Sequence, residues 1–278
     1  MNKDDLNSKL KENTLYNELI QRSEFSVTVR SAIELIQDVG VYSTELAKSI
    51  IINMPEFTLH DENHIFNMLY LSQKLIPEDS LKRLSSADIM MLILSIFLHD
   101  IGMAPPRELI KAWKGQLNEV EQKQYETEIL MFNRFRKTCI REIEDINRYN
   151  IKGEYSKAQL LEDQIITEYI RKNHADRARK MISDDWSEKI KYGHTDLTAE
   201  LAEICFSHNE SNMALLEMET IKLCDENTII CLPFIGIILR LTDIIDFDSK
   251  RTPAVLFSHL TIKNPVSLKE WIKHISIN

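Results

Sequence analysis

The chain has 278 residues, 44% hydrophobic and 28% charged, which is enough apolar mass for a sizeable core and too much for whole-chain disorder. Six glycines and seven prolines are too few turn formers for a β-sandwich or barrel and point to helices. With 34 Lys+Arg against 43 Asp+Glu the formal charge is −9, a field that repels nucleic-acid backbone and leaves room only for a local basic pocket.

The N-terminus, MNKDDLNSKLKEN, carries no apolar signal core, so the expected location is the cytoplasm. Cys139, Cys205, Cys224 and Cys231 form no CxxC pair and read as buried thiols rather than disulfides or a zinc knuckle. Residues 1–55 form a helical entry segment, with Tyr16, Leu19 and Ile20 and then Ile33, Ile36 and Val39 at helical spacing, punctuated by Gly40 and Pro55. Residues 62–76 make a second helix, stopped by Pro77. Ser86 caps the next, whose Ala87, Met90, Met91, Leu94, Phe97 and Leu98 form one apolar stripe ending at Gly102. Its longest apolar run, Ile89 to Leu98, is too short to span a membrane, and no membrane partner is expected.

Residues of about 107–172 are rich in Glu, Lys, Gln and Arg with apolar residues three to four apart. They read as an inserted pair, or three, of long, partly exposed helices whose interspersed charges form a solvated face. Helices are expected at 174–183 and 196–208. The run 229–245 has β-branched residues that would permit a strand, but its length and the offsets of Leu239, Thr242 and Ile245 favour a buried helix after Pro233. The tail from Thr252 has strand-like pieces, AVLF and HLTI, and a short helix near Trp271. The expected fold is an all-α bundle with three parts: a segment 1–55, a main domain 56–253 and a C-terminal extension 254–278 that contains short strands.

Three places carry chemistry. His99-Asp100 closes a helix whose preceding ten residues are almost wholly apolar, where a carboxylate is costly to bury unless something pairs with it. A divalent metal does this, and imidazole with carboxylate suits iron, manganese, zinc or magnesium. The bland alternative is a satisfied histidine beside a loop aspartate. In His60-Asp61-Glu62-Asn63-His64 the two histidines are four apart and share a face if helical, one for metal and one for substrate. Asp243 sits in LRLTDIIDF among apolar residues and needs a partner if buried. The alternative there is one polar stripe with Asp246, three residues on.

The order H…HD…D, supplied by His64, His99-Asp100 and Asp243, is more specific than any part of it. With the local contexts HIFNM, FLHDIGM and LRLTDIIDF, the chain resembles the HD superfamily of metal-dependent phosphohydrolases over roughly residues 55 to 253. Residue by residue, the resemblance implies one metal on His64, His99, Asp100 and Asp243. Two further histidines, His174 and His208, fall between the HD pair and Asp243. In two-metal branches, including the HD-GYP cyclic-dinucleotide phosphodiesterases, this interval completes a second site, here Asp100, His174 and His208. The implied cofactor is therefore a divalent metal, two of them, drawn from Mn, Fe, Co, Ni, Mg or Zn. No GYP triplet is present; HNESNM follows Ser207, which argues against cyclic-di-GMP as substrate. The His60–His64 spacing resembles the HNxxH element of cyclic-nucleotide phosphodiesterases, with Asp61 in place of Asn. The whole also resembles a prokaryotic branch joined to a heat-shock-chaperone-like GHKL ATPase, for which this chain is too short. His194, His259 and His274 match nothing and read as surface or packing residues.

The chemistry this implies is metal-assisted hydrolysis, with Asp100 at the catalytic centre, His60 as the acid for the leaving oxygen and substrate contact, and Arg251 in DFDSKRTP as the phosphate-binding cation, ahead of Arg171 and Lys172. Glu62 is either a partner to a ligating histidine or a helix-start carboxylate. The expected substrate is a phosphorylated small molecule or nucleotide. The alternatives are a sensing module that signals to a partner ATPase or a second copy, and a single-strand nuclease, which the charge of −9 and the lack of an aromatic-basic stripe disfavour.

Overall fold

The structure is a computed structural model. It describes residues 1–54, 56–222, 228–246, 251–260, 262 and 264–276, leaving aside the side chains of Asn53, Ile221 and Lys222. It is 74% helix and 3% strand, the all-α class the scarcity of turn formers predicts. The chain divides into two compact units, Met1–Gly102 with Ala175–Asn278, and Met103–His174.

The first unit opens with α1 (Lys3–Leu10), α2 (Thr14–Ser23) and α3 (Val27–Asn53), capped by Asn2, Asn13 and Ser26, whose side chains accept the first free N–H groups. Gly40 does not interrupt the chain as its sequence position suggests: it lies inside α3. A Cβ there would sit 2.7 Å from Leu6 Cδ2 and 3.1 Å from Phe97 Cζ, so glycine serves close approach of α1 and the core rather than a break. Helix α4 (Glu62–Leu75) begins at Asp61, which accepts from the Asn63 N–H, and ends at Ile76 because Pro77 follows. A short α5 (Glu78–Leu81) leads to α6 (Ser86–Leu98). The cap of α6 is Ser85, one residue before the expected Ser86, in a reciprocal box with Asp88. Every residue from Ala87 to Leu98 is buried, and each large apolar side chain contributes about 1.5–3 kcal/mol by leaving water.

The second unit holds α7 (Arg107–Trp113), α8 (Glu119–Gln124), α9 (Glu126–Arg136), α10 (Ile140–Ile151) and α11 (Tyr155–Lys172). This corrects the expected pair of long helices. Helical spacing shows where apolar residues recur but not where Gly115 and Gly153 turn the chain at φ +66° and +72°. Trp113, Phe132 and Tyr169 form its aromatic centre, with ring centroids 5.2–5.8 Å apart. Mixed charges cover it as expected, with Lys114–Asp163 at 2.8 Å and Arg136 on Glu162.

The first unit resumes at Ala175, within α12 (His174–Asp185), and continues with a hairpin of β1 (Lys191–Tyr192) and β2 (Thr195–Asp196), α13 (Thr198–Ser207) and α14 (Asn212–Leu216). A second two-stranded ribbon, β3 (Thr220–Lys222) with β4 (Ile229–Cys231), precedes α15 (Leu232–Ile245), which has Pro233 in its first turn. The helix expected after Pro233 is α15, and the three residues at the start of the run, Ile229–Cys231, are taken by pairing with β3. AVLF is helical, in α16 (Ala254–Leu260). A short apolar run reads the same for both structures, and among the described residues no strand pairs with it. HLTI supplies His259 and Leu260 to the end of α16, while Thr261 lies outside the described residues. Helix α17 (Pro265–Ile275) is the expected helix at Trp271, a buried residue that donates to Glu56 O at 3.0 Å. Helices α2, α3, α4, α13 and α15 and strand β4 pack around α6, so α1, α2 and α3 are built into the same core. Cys139, Cys205 and Cys231 are free thiols, but only Cys205 is buried as expected; Cys139 and Cys231, at the starts of α10 and α15, are half-buried, and Cys224 lies outside the described residues.

Candidate metal centre

Helix α6 ends at the centre of the unit. His99 caps it, and its ring folds back so that Nδ1–H donates to Ile96 O at 3.0 Å, satisfying one of the carbonyls a helix end leaves open. That fixes the tautomer and turns Nε2 outward. The His99 Nε2 lies 3.4 Å from His64 Nε2 and 3.1 Å from Asp100 Oδ2. His64, near the start of α4, has its Nδ1–H held by Asp246 Oδ2 at 2.5 Å, so its Nε2 faces Asp100 Oδ2 at 3.6 Å and Asp243 Oδ1 at 3.7 Å. His208 caps α13. Its Nδ1–H donates to Cys205 O, and its Nε2 stands 3.7 Å from the other Asp100 oxygen, Oδ1. Asp100 thus presents one oxygen to His64 and His99 and the other to His208.

The donor set fits a divalent cation. Two imidazole lone pairs 3.4 Å apart repel unless a cation or proton stands between them, and two carboxylates face the same space. Ligand atoms of His64, His99 and Asp100 lie within 4.8 Å of one another. Burial alone would lower the pKa of His99. The Asp100 charge and hydrogen bond, then Asp243 and the Ile96 carbonyl, outweigh it and push the ring up to about 9. The carboxylates that would attract a cation thus hold a proton on His99 instead.

Behind these groups lies a network that sequence reasoning missed. Asp246, buried at the C-terminus of α15, accepts from His64, from Asn67 Nδ2 and from Arg251 Nη1 at 3.3 Å. Burial works against its ionised form, yet His64, Arg251 and Asn67 together hold its carboxyl below the usual range. His60 lies just before the α4 cap, outside the helix. Its Nδ1–H donates to Thr58 O at 2.7 Å, its Nε2 accepts from Arg251 Nη2 at 2.8 Å, and Asp100 Oδ2 is 4.0 Å away. Burial first and the Arg251 charge second drive its pKa well below 6.5, so the ring is neutral at pH 7. Arg240, also unassigned from sequence, reaches from α15 to Ser207 O, Ser211 O and Asn212 Oδ1. It ties down the bend that carries His208. Arg177 holds Gly102 O at 2.7 Å, fixing the chain just after the His-Asp pair.

The remaining candidates fall as follows. His174 stands at the junction of α11 and α12, mostly buried, its Nδ1–H donated to Arg171 O at 2.6 Å. Lys172 lies over the Phe135 ring, 5.3 Å from its centroid. Glu62 pairs with Lys9 at 3.1 Å, so it is a helix-start carboxylate and not a partner of a ligating histidine. His194 and His259 are exposed, and His274 is a packing residue. The missed groups had one signal, the two aspartates three apart in LTDIID, of which the second turns inward behind the first.

No curated protein and no solved structure matches this chain. A family model does: HD-CE, over residues 54–278, well over half the sequence and all of the histidine and aspartate cluster. The chain belongs to the HD-CE family.

Proposed function

We propose that this protein is a divalent-metal-dependent phosphohydrolase that cleaves a phosphoester of a nucleotide or related compound. The observation that carries the reading is the shared orientation of His64, His99 and His208. Each has Nδ1 pinned by a backbone carbonyl or carboxylate, and each turns Nε2 toward Asp100. In this reading His64, His99, Asp100 and Asp243 hold one ion. Asp100 and His208, with His174 added by the family resemblance, hold a second. Divalent ions in such a site supply Lewis acidity toward a phosphate oxygen and lower the pKa of water toward neutrality.

The chain's own part is orientation. Asp100 serves both sides of the centre, Asp243 balances charge, and Asp246 and the carbonyls of Ile96 and Cys205 keep the imidazoles from rotating. His60 stands beside Asp100 as the group to protonate the leaving oxygen, which requires its Nε2 to release Arg251 and first to take up a proton from water, since the resting ring carries its one proton on Nδ1. The test is release of phosphate or nucleoside monophosphate from a nucleotide panel with Mn, Fe, Co, Ni, Mg or Zn. Activity lost in His99→Ala/Asp100→Ala, with helical content unchanged, supports the reading.

A second reading is favoured by one observation: Met103–His174 forms a compact unit with an aromatic core of its own. The protein would then be a sensing module that binds metal and nucleotide and signals through that insert to a partner ATPase or second copy. Metal binding without turnover across the panel selects it; a chain that binds no divalent metal overturns both.

A further inference from the structure

We propose that Arg251 is a positioning residue: its guanidinium holds His60 and the Asp246–His64 pair in place for the metal centre, and it does not bind the substrate phosphate. The inference rests on the metal-dependent reading above. Arg251 is only 6% exposed, and each of its three side-chain nitrogens is committed. Nε donates to Leu59 O at 3.0 Å, Nη1 to Asp246 O and Oδ2 at 3.3 Å each, and Nη2 to His60 Nε2 at 2.8 Å. The backbone returns the contact, with Leu59 N–H on Arg251 O at 3.0 Å. One planar fork therefore ties the segment before α4 to the end of α15, a geometry that a lysine's single ammonium cannot copy.

Two consequences reach the site. Arg251 balances the buried Asp246 carboxylate that fixes the His64 tautomer, and so keeps His64 Nε2 facing Asp100 and Asp243. It also occupies His60 Nε2 while Thr58 O occupies Nδ1–H, which fixes His60 as a neutral Nδ1–H ring. A phosphate drawing on Nη1 would have to strip a buried carboxylate of its cation, a costly exchange, and the Nη2 face is turned to His60 on a side chain almost wholly buried.

The experiment uses the full chain and the variants Arg251→Ala and Arg251→Lys. Three things are measured: manganese affinity of chelator-stripped protein by calorimetry, the His60 tautomer by ring-nitrogen NMR, and kcat against KM where turnover is seen. The expected result for Arg251→Ala is a roughly 10–100-fold loss of manganese affinity, the range for losing an outer partner of a metal ligand. It is accompanied by loss of the fixed Nδ1–H signal of His60 and partial recovery of both with added guanidinium. Arg251→Lys recovers only part of the affinity and gives the same readouts where the alanine variant fails to fold. Unchanged manganese affinity and His60 tautomer with a raised KM would make Arg251 a phosphate ligand and overturn the proposal. A fall in melting temperature with both readouts unchanged would reduce it to a packing role and overturn it equally. If the unsubstituted protein binds no manganese, the hydrolase reading fails on its own, and the His60 tautomer still decides the place of Arg251.

Discussion

Replacing Asp246 by Asn separates the orientation of His64 from its presence. The carboxylate accepts from His64 Nδ1, Asn67 Nδ2 and Arg251 Nη1 and is almost completely buried. In the variant the amide oxygen can still accept from His64 and Arg251, and Asn67 can turn its own oxygen toward the new NH2. The shape survives, but the charge does not. Arg251 is left without its buried counter-ion, and breaking such a pair costs about 3–5 kcal/mol, here nearer about 3 because the neutral acceptor remains. His64 loses a charge-assisted partner, for which metal affinity falls by about 10–100-fold, or roughly 1.4–2.7 kcal/mol. The acid limb of stability changes too. Asp246 is held below the ordinary carboxylate range, so its contribution is present above the unfolded-state pKa and is lost as pH falls through the lowered native value. That loss is absent from the variant. Manganese calorimetry on stripped protein, with urea unfolding at neutral and acid pH, measures all three. Asp246→Asn with unsubstituted manganese affinity and the same unfolding midpoint would show that His64 is held by other means, and the reasoning fails.

Chelation should lower the melting temperature, since a metal at 100 times its Kd adds about 2.7 kcal/mol to the native state; His99→Ala/Asp100→Ala should show no such shift, and equal shifts in both would place the metal elsewhere. Gly40→Ala, which in an open helix gains about 0.8–1 kcal/mol, should here destabilise by up to about 2 kcal/mol because its Cβ would meet Leu6 Cδ2 at 2.7 Å; a higher urea midpoint contradicts the close approach. Burial, then the charge and hydrogen bond of Asp185, push the Tyr42 phenol up to about 12, so stability drops as pH climbs from about 10 to 12. Ultraviolet titration should show this ionisation moving back toward 10 in Asp185→Asn. Burial first and the Arg251 charge second push His274 down to about 4, so the stability of its neutral ring is present above pH 6.5 and is lost as pH falls from 6.5 to 4. His274→Gln should flatten the melting-temperature profile in that window, and parallel profiles would place the acid sensitivity on other groups.

The aspartates of the candidate metal centre are legible because their cost is local. An aspartate behind ten apolar residues, or between Leu241 and Ile244, asks for a partner wherever the chain goes, and Asp100 and Asp243 declare themselves this way, while His64 and His99 join them through the order H…HD…D and the resemblance it carries. The groups that orient them carry no such mark. Asp246 meets His64 across 182 residues and Asn67 across 179, and Arg251 meets Leu59 across 192. These contacts exist only once α4 and α15 lie side by side on α6. The same distinction runs through the fold. The apolar stripe of α6 predicts burial, but Gly40 is read as a break because its neighbour Leu6 is 34 positions away, and AVLF reads as strand because a four-residue apolar run has no period of its own.

One element of the site's orientation is nevertheless local, and it explains why these histidines fall at helix ends. His99 caps α6 and donates to the carbonyl three residues back; His208 caps α13 and does the same; His174, one residue after the α11 cap, donates to Arg171 O, again three back. A helix leaves its last carbonyls without partners, and an imidazole at the cap supplies one through Nδ1–H. That bond leaves the proton on Nδ1 and turns Nε2, with its lone pair, past the end of the helix. The helix end thus selects the tautomer a metal needs without a second side chain. His64, inside the first turn of α4 where the free backbone groups are donors, has no carbonyl to use and must be given Asp246. Replacing His99 or His208 by Gln would keep the carbonyl bond through the amide N–H while removing the rigid link to a second donor. The helix caps should survive and metal affinity should fall, and a melting temperature that drops as far as in the alanine variants would refute the capping role.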